Sequence, residues 1–468
     1  MEDFFMKTNR IIRFSALVML LAFMLAMVPS CSFADPKING VELEKYSIVY
    51  NSAELDYNKR AAEYIQSEIK SITGIELEIK TDDGAKGEHE IVVGETNREI
   101  SDKLDEETEG LEFSIMADEA SIALEAESFV IAAAAYYFVS TYVTGRDFDT
   151  SVSAEAKVEK PIVKEAKNFI LLIGDGMGYC QTKLFDAYDV PTEGDQAYSD
   201  GEDIFYGYML PYEGASRTAS LDGVTDSAAG GTALATGYKT HNSYIGKDKD
   251  GNDLRSLTEL AASMGMASAV MSTESKTGAT PATFSAHAID RDGTTDITTS
   301  QIAGQKEYGT VIKCGYESYL KARIKVLENA ITETLGKVSA NEKGFFMMYE
   351  EAHIDKSCHQ NDMDTTFHSL MRFNQAIGRI MEFAFYNPDT FVLITADHET
   401  GGMYATEDGF AYTIEEHSLQ DVPVFAYGVG AELFDGVTVE NTQIAKTIAS
   451  LMGAESFGDP DQPASLVK

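Results

Sequence analysis

Positive charge is scarce in this chain of 468 residues: 37 lysines and arginines stand against 76 aspartates and glutamates, a net charge of −39. That shortage argues against nucleic acid recognition and against an anionic membrane face as partner, since both call for a basic surface. It also sits badly with an anionic small ligand. Such a ligand needs a local positive centre that overrides the general field, and bound metal ions are the obvious source. Most of the charge is explained by an acidic surface that keeps an exported protein soluble. Cysteine is scarce as well. Besides Cys31 there are only Cys180, Cys314 and Cys358, too scattered for a disulfide framework and enough for one bridge at most. With 10 prolines and an apolar fraction of 44%, the chain reads as globular, long enough for two domains or one large one. Internal repeats and low-complexity tracts are lacking.

A long apolar run occurs at one place. Lys7, Arg10 and Arg13 precede the run Leu17 to Val28, the pattern of a targeting segment over residues 1–34 that lies outside the fold. Met6 is an alternative start, because Glu2 and Asp3 are odd in such a leader. Two exits fit. Ser32-Phe33-Ala34 resembles a small-x-small cleavage site, whereas Val28-Pro29-Ser30-Cys31 resembles a lipobox and would leave a lipid-anchored Cys31. Both put the protein outside the cytoplasm, secreted or anchored at the outer face of the cell membrane. The run is too short for a membrane-spanning helix to be favoured.

Residues 36–150 read as a small α/β unit: a strand at 47–50, an amphipathic helix at 53–72, strands at 75–80, 91–94, 113–116 and 121–125, and a closing helix at 129–144. Its histidine, His89, reads as a solvated bystander. The stretch Ile91-Val92-Val93-Gly94-Glu95-Thr96-Asn97-Arg98, with Ser121 to Leu124 and Tyr136-Tyr137-Phe138, resembles small N-terminal modules of carbohydrate-active enzymes. This resemblance implies an accessory domain, for which a glycan or cell-wall contact is one expectation. Residues 151–166 read as a linker. From 167 onward, short runs rich in Phe, Ile and Val (169–173, 345–349, 391–394, 422–427) alternate with helical stretches, which predicts a doubly wound, mainly parallel sheet with helices on both faces.

In such sheets ligands bind beyond the carboxyl ends of the strands, and polar residues gather there. Asp175 follows the first run through Gly174, with Gly176 and Gly178 permitting close backbone approach. Asp355 and His359, at i, i+4 spacing after the second, share a face if the stretch is helical. Asp397-His398 ends the third, and His417 precedes the fourth. Each alone is weak; independent accidents would not line one sheet edge. Ser227 opens Ser227-Ala228-Ala229-Gly230-Gly231-Thr232-Ala233. It reads at its plainest as the N-cap of a small-residue helix to about Thr236. The functional reading is a helix N-terminus that attracts phosphate, with the Ala/Gly run leaving it room.

Together these stretches resemble the alkaline phosphatase family: Ile170-Leu171-Leu172-Ile173-Gly174-Asp175-Gly176-Met177-Gly178; Thr225-Asp226-Ser227-Ala228-Ala229; Ala279-Thr280-Pro281-Ala282 with His287 and Arg291; Glu350, Asp355-Lys356 and His359; Thr395-Ala396-Asp397-His398; and His417 before Val422-Pro423-Val424. The resemblance spans residues 168–430 and implies hydrolysis of phosphate monoesters with broad specificity, releasing inorganic phosphate, through a phosphoserine at Ser227. It implies one zinc (Zn2+) on Asp355, His359 and His417, a second on Asp175, Asp397 and His398, and a magnesium (Mg2+) at Asp175, Thr280 and Glu350. Arg291 would grip two phosphate oxygens as a fork. A serine hydroxyl is a weak nucleophile at neutral pH, so coordination to the second zinc is expected to activate it. A homodimer is compatible with the resemblance.

Three residues depart from the pattern. Gly278 stands where the family has Asp or His, which puts the third metal's identity in doubt. His353 and Cys358 lie beside ligands and read as bystanders. Two rival functions call for different residues. A sulfatase would need Cys or Ser followed by x-Pro-x-Arg, which Ser227 lacks, and a phosphodiesterase would lack Thr280 and Glu350. A surface binding protein with a dead hydrolase domain would show a lost ligand, and none is lost.

Overall fold

Two sheets organise the chain. The computed structural model describes residues 36–467 apart from 39, 52–55, 105–109, 119, 144–153, 158–164, 187–203, 318–320 and 408. The expected targeting segment, with Cys31, lies outside the described residues, as does most of the expected linker. Among the described residues no helix is long and apolar enough to cross a membrane.

The N-terminal sheet contains β1 (Tyr46–Tyr50), β2 (Glu78–Thr81), β3 (His89–Val93), β4 (Glu112–Ala117), β5 (Ser121–Glu125) and β6 (Ala154–Lys157) in the order β2-β1-β3-β5-β4-β6. Strand β6 lies inside the stretch expected as a linker; it pairs antiparallel with β4 and closes the sheet edge. Helices α1 (Asp56–Thr73) and α2 (Ile131–Phe138) cover one face. The expected helix at 129–144 is broken into a 3-10 turn, α2 and a π turn over Val139–Val143. His89 is not a free bystander: its Nδ1 lies 3.1 Å from the Ala120 carbonyl, and its ring tilts against Tyr46.

The large sheet contains β7 (Asn168–Gly174), β8 (Tyr212–Arg217), β9 (Ala267–Ser272), β10 (Val311–Cys314), β11 (Phe345–Glu351), β12 (Thr390–Thr395), β13 (Val422–Tyr427) and β14 (Thr438–Glu440). Their order is β10-β9-β11-β7-β12-β13-β8-β14. Strand β13 runs antiparallel to both neighbours, and every other pairing is parallel. The reversal of β13 matters for function. Its amino end lies at the same edge as the carboxyl ends of β7, β11 and β12, so the segment carrying His417 arrives where Asp175 and Asp397 are.

Helices on both faces bury the central strands completely, so these strands read as continuous apolar runs rather than alternating ones. Ile170 and Leu172 of β7 join a core with α7 (Lys321–Val338), α9 (Met363–Tyr386) and the N-terminal unit. Phe169, Leu171 and Ile173 face α3 (Ser227–Thr236), α4 (Leu257–Ser263) and α10 (Asn441–Leu451). Between α4 and α7 come α5 (Ala279–Thr283) and α6 (Thr294–Tyr308), and α8 (His353–Cys358) follows β11.

The N-terminal unit shares the first of these cores. Phe129 stacks on Phe385 and meets Tyr206 edge-on at 4.7 Å, and Tyr64 stacks on Tyr386 at 4.0 Å. Each such pair contributes about 0.5–1.5 kcal/mol beyond the area it buries. Arg60 Nε donates to both Glu382 carboxylate oxygens at 2.9 Å. The Tyr57 ring reaches α9 at Gly378, where a Cβ would lie 2.1 Å from the Tyr57 hydroxyl.

Candidate metal and phosphate site

Local geometry delivers each predicted side chain to the edge shared by β7, β11, β12 and the start of β13. Asp175 is the first residue past β7. The turn after it depends on Gly176, whose φ is +76° and whose Cβ would stand 2.8 Å from both Asp355 Cα and Thr400 Oγ1. One turn of helix brings Asp355 and His359 together as their spacing predicts, with Oδ1 and Nε2 3.3 Å apart. His417 Nε2 lies 3.4 Å from the same Asp355 oxygen and 3.1 Å from His359 Nε2.

Hydrogen bonding fixes which imidazole atoms face inward. His417 Nδ1 lies 2.7 Å from the Thr225 carbonyl, and His359 Nδ1 contacts the Glu415 carbonyl. A carbonyl only accepts, so each Nδ1 carries a proton and each Nε2 faces the other and Asp355, the atom left to bind a cation once it is deprotonated. Two imidazole Nε2 atoms and a carboxylate converge on one point, which suits a cation. Ligand atoms about 2.0–2.1 Å from a tetrahedral zinc stand roughly 3.3–3.4 Å apart, which matches the 3.1, 3.3 and 3.4 Å separations here.

His398 defines a second set. Its Nε2 lies 3.4 Å from Asp175 Oδ1 and 3.4 Å from Asp397 Oδ2. Asp355 also comes within 4.8 Å of the Asp175 and His398 ligand atoms, so it stands between the two sets. Thr400, a residue without a sequence signal, donates from Oγ1 to Asp355 at 2.6 Å and lies 3.2 Å from His398 Nδ1. It orients one ligand from each set.

Of the three residues expected to hold a third cation, Asp175, Thr280 and Glu350, all are buried, and the Glu350 charge helps to raise the Asp175 carboxyl. Among the described residues, Asp175 Oδ1, Thr280 Oγ1, Glu350 Oε1 and Asp397 Oδ2 are buried without a hydrogen-bond partner. Leaving such atoms unpaired is costly, and cations would satisfy all four. Mixed nitrogen and oxygen donors suit zinc, and an oxygen set suits magnesium; the residues present fit both.

The charge balance agrees. Burial first, then Asp397 and Asp355, raise the Asp175 carboxyl well above the usual range, and burial with the Asp355 charge pushes Asp397 up to about 7. Burial and His417 hold His398 well below the ordinary histidine value, as a neutral ligand. Asp355 goes the other way: against the penalty of burial, hydrogen bonds from His359 and His417 keep its carboxyl well below the usual range.

Ser227 departs from the plainest sequence reading. The N-cap is Asp226, extended at φ −98° and ψ 170°, whose Oδ1 accepts from Ala229 N at 2.9 Å. Ser227 is therefore the first helical residue, and its hydroxyl is free of capping. Its Oγ lies 3.2 Å from His398 Nε2. The Ala/Gly run also has a packing role that the sequence does not show. All ten residues of α3 are buried, and Cβ atoms at Gly230 and Gly231 would lie 2.8 Å from the Asp397 carbonyl and 2.9 Å from Thr283 Oγ1. The small residues let the helix press onto the ligand strand. Arg291 Nη1 donates to Asp226 Oδ2 at 3.1 Å, which anchors the guanidinium beside the helix N-terminus and leaves its other nitrogens available.

The two expected bystanders are accounted for. His353 packs between Thr273 and Glu351. Cys358 is buried against Gln181, Thr366 and Tyr412, and burial pushes its thiol up to about 12. Cys180, Cys314 and Cys358 are free thiols.

A mainly parallel sheet with two mixed-donor cation sets at the carboxyl ends of its strands, beside a helix-borne serine, defines a metal-dependent hydrolase fold. Residues 166–327 and 319–411 match the alkaline phosphatase family profile, and the chain belongs to that family; its activity is the hydrolysis of phosphate monoesters. The chain is 28% identical over 332 residues to alkaline phosphatase 3 of Bacillus subtilis, covering 59% of this chain and 70% of the relative. The solved alkaline phosphatase of the Antarctic bacterium TAB5 is 26% identical and superimposes with a TM-score of 0.54, covering 63% of this chain and 100% of the other. Two variants of that enzyme, each with one histidine replaced by an acid, hold magnesium in its M3 site. The N-terminal unit lies outside the family match.

Proposed function

We propose that this phosphomonoesterase works through a covalent phosphoserine at Ser227, with two zinc ions and one magnesium ion as cofactors. The observation that carries this reading is the 3.2 Å contact between Ser227 Oγ and His398 Nε2, at the meeting point of the two histidine-carboxylate sets. Asp355, His359 and His417 would hold one zinc, Asp175, Asp397 and His398 the other, and Asp175, Thr280 and Glu350 the magnesium. When bound, the cations supply positive charge that favours the serine alkoxide and steadies the charge on the departing oxygen. The N-terminal N–H groups of α3 and the Arg291 fork stabilise the equatorial phosphoryl oxygens during in-line attack. Asp226 orients both, capping the helix and gripping the arginine. The leaving group makes no contact this reading requires, so broad specificity follows. Export of the chain and its contact with glycan or cell wall remain parts of the proposal with separate tests: the mature N-terminus, and a pull-down with residues 36–166.

Metal-loaded protein quenched in acid after exposure to labelled phosphate ester should carry phosphate on Ser227. Ser227→Ala should lose the label and the monoesterase activity. Retained activity in that variant, or faster cleavage of a bis-nitrophenyl diester than of the monoester, would overturn the proposal.

A further inference from the structure

The oxygen-lined group contains a glycine that its own backbone does not require. Gly278 precedes α5 at φ −55° and ψ 152°, a conformation open to any residue. Space is what excludes a side chain. A Cβ at 278 would fall 1.6 Å from Glu274 Oε1 and 2.1 Å from Glu274 Cδ. The carboxyl group of Glu274 thus fills the volume into which a side chain at 278 would project.

Glu274 is held there from several directions. It lies two residues past β9, and its N–H donates to Ser272 Oγ at 2.9 Å. Ser272 Oγ in turn donates to Glu350 Oε2. Lys356, next to Asp355, donates from Nζ to Glu274 Oε2 at 2.7 Å. After burial itself, the Glu274 charge is the largest influence raising the Glu350 carboxyl. Glu274 is therefore a near neighbour of the group, reached from the same loop that carries Gly278 into α5.

We infer that Glu274 replaces, from four residues earlier in the same loop, the side chain missing at position 278, and completes the third cation site with Asp175, Thr280 and Glu350 while Lys356 fixes its orientation. The plain alternative is a Glu274–Lys356 ion pair with no further role. That pair accounts for Lys356 but leaves Thr280 Oγ1 and Glu350 Oε1 buried without partners. A cation among the oxygens satisfies them and relieves the repulsion between the carboxylates. Oxygen donors of this kind suit magnesium, which keeps some of its waters and needs few carboxylates.

The inference rests on the cation site of the proposed function but not on its nucleophile. The test is magnesium binding to the zinc-loaded full chain, by calorimetry and by elemental analysis after dialysis, with helical circular dichroism as a folding check. The wild type should take up one magnesium per chain. Glu274→Gln, nearly isosteric, should bind it about 10- to 100-fold more weakly, the loss typical when a residue supporting a metal site is removed. In a Glu274→Ala background the space at 278 is free, so adding Gly278→Asp should recover most of the affinity lost. Unchanged magnesium affinity in Glu274→Gln, no recovery in the folded double variant, or no third cation in the wild type each overturns the inference. Magnesium uptake without labelling of Ser227 would sink the phosphoserine proposal alone; labelling without a Glu274 effect would sink this inference alone.

Discussion

Replacing Gly230 by alanine should damage catalysis far more than stability. Gly230 sits three residues beyond Ser227 in α3, and a Cβ there would lie 2.8 Å from the Asp397 carbonyl oxygen and 3.2 Å from Asp397 Cβ. An ordinary carbon–oxygen contact is at least about 3.3 Å, so helix and strand end must separate by roughly 0.5 Å. Strand β12 is held between β7 and β13, so α3 is the element that yields, and Ser227 moves with it. A misplacement of about 1 Å can cost roughly 100-fold in rate, so half that distance should cost on the order of 10-fold in kcat/KM. Overpacking costs about 1–3 kcal/mol, while alanine in place of a helical glycine returns about 0.8–1.0 kcal/mol. The net loss of stability is then roughly 0–2 kcal/mol. Hydrolysis of a nitrophenyl monoester and urea unfolding measure the two quantities. Gly336→Ala serves as the control: it lies in α7 with nothing within 4 Å of its Cβ, and should add about 0.4–1 kcal/mol without altering kinetics. Gly230→Ala with kcat/KM within twofold of the wild type would refute the argument that small residues in α3 exist to seat Ser227.

Arg372→Met should destabilise the fold by about 3–5 kcal/mol at neutral pH, because Glu351, fully buried and held at about 2 against its burial by the Arg372 charge, loses its counter-ion. A depressed carboxyl contributes stability above its unfolded value and loses it as pH falls toward the folded one. The gap between wild type and variant should therefore narrow as unfolding is measured at pH falling from about 4.5 toward 2; a gap that widens would refute the pairing. Gly378→Ala, whose Cβ would meet the Tyr57 hydroxyl at 2.1 Å, should cost about 1–3 kcal/mol and hasten proteolysis between the two units while sparing kcat; equal protease sensitivity would count against a shared core. Removing the cations with a chelator should lower Tm by several degrees. A site bound at about 1,000 times its Kd supplies roughly 4 kcal/mol, so an unchanged Tm in protein shown to be metal-free would contradict the ligand assignment.

Much of the site was legible because its residues stand at the ends of apolar runs. Asp175, Asp397 and His398 follow strands directly, and Asp355 and His359 carry their helical spacing with them. The direction of β13 was not legible from its composition, and it explains why a histidine before a strand reaches the same edge as residues after strands. Asp226 was hidden by its neighbour: a capping signal at 226–227 does not say which residue caps until the backbone is known. Thr400 acts through contacts made across loops, and Glu274 through packing on Gly278 within one irregular loop; local periodicity encodes neither. Strand β6 was missed because Glu, Lys and Ala are poor strand formers; it is set by pairing at a sheet edge.

The position of β7 has a consequence for how the protein is made. It is the first strand of the large sheet to be synthesised, yet both of its neighbours lie far downstream: Asn168 pairs with Phe345 and Thr390. At about 5–20 residues per second, the central strand waits on the order of 10–40 s with both hydrogen-bonding edges unpaired. The N-terminal sheet suffers no such delay, since β6 completes it before β7 begins. Nascent chains thus carry a finished small unit joined to an apolar, unpaired strand, the kind of intermediate that aggregates or recruits chaperones. The cation sites complete later still, with His417, so loading of metal follows synthesis of nearly the whole chain.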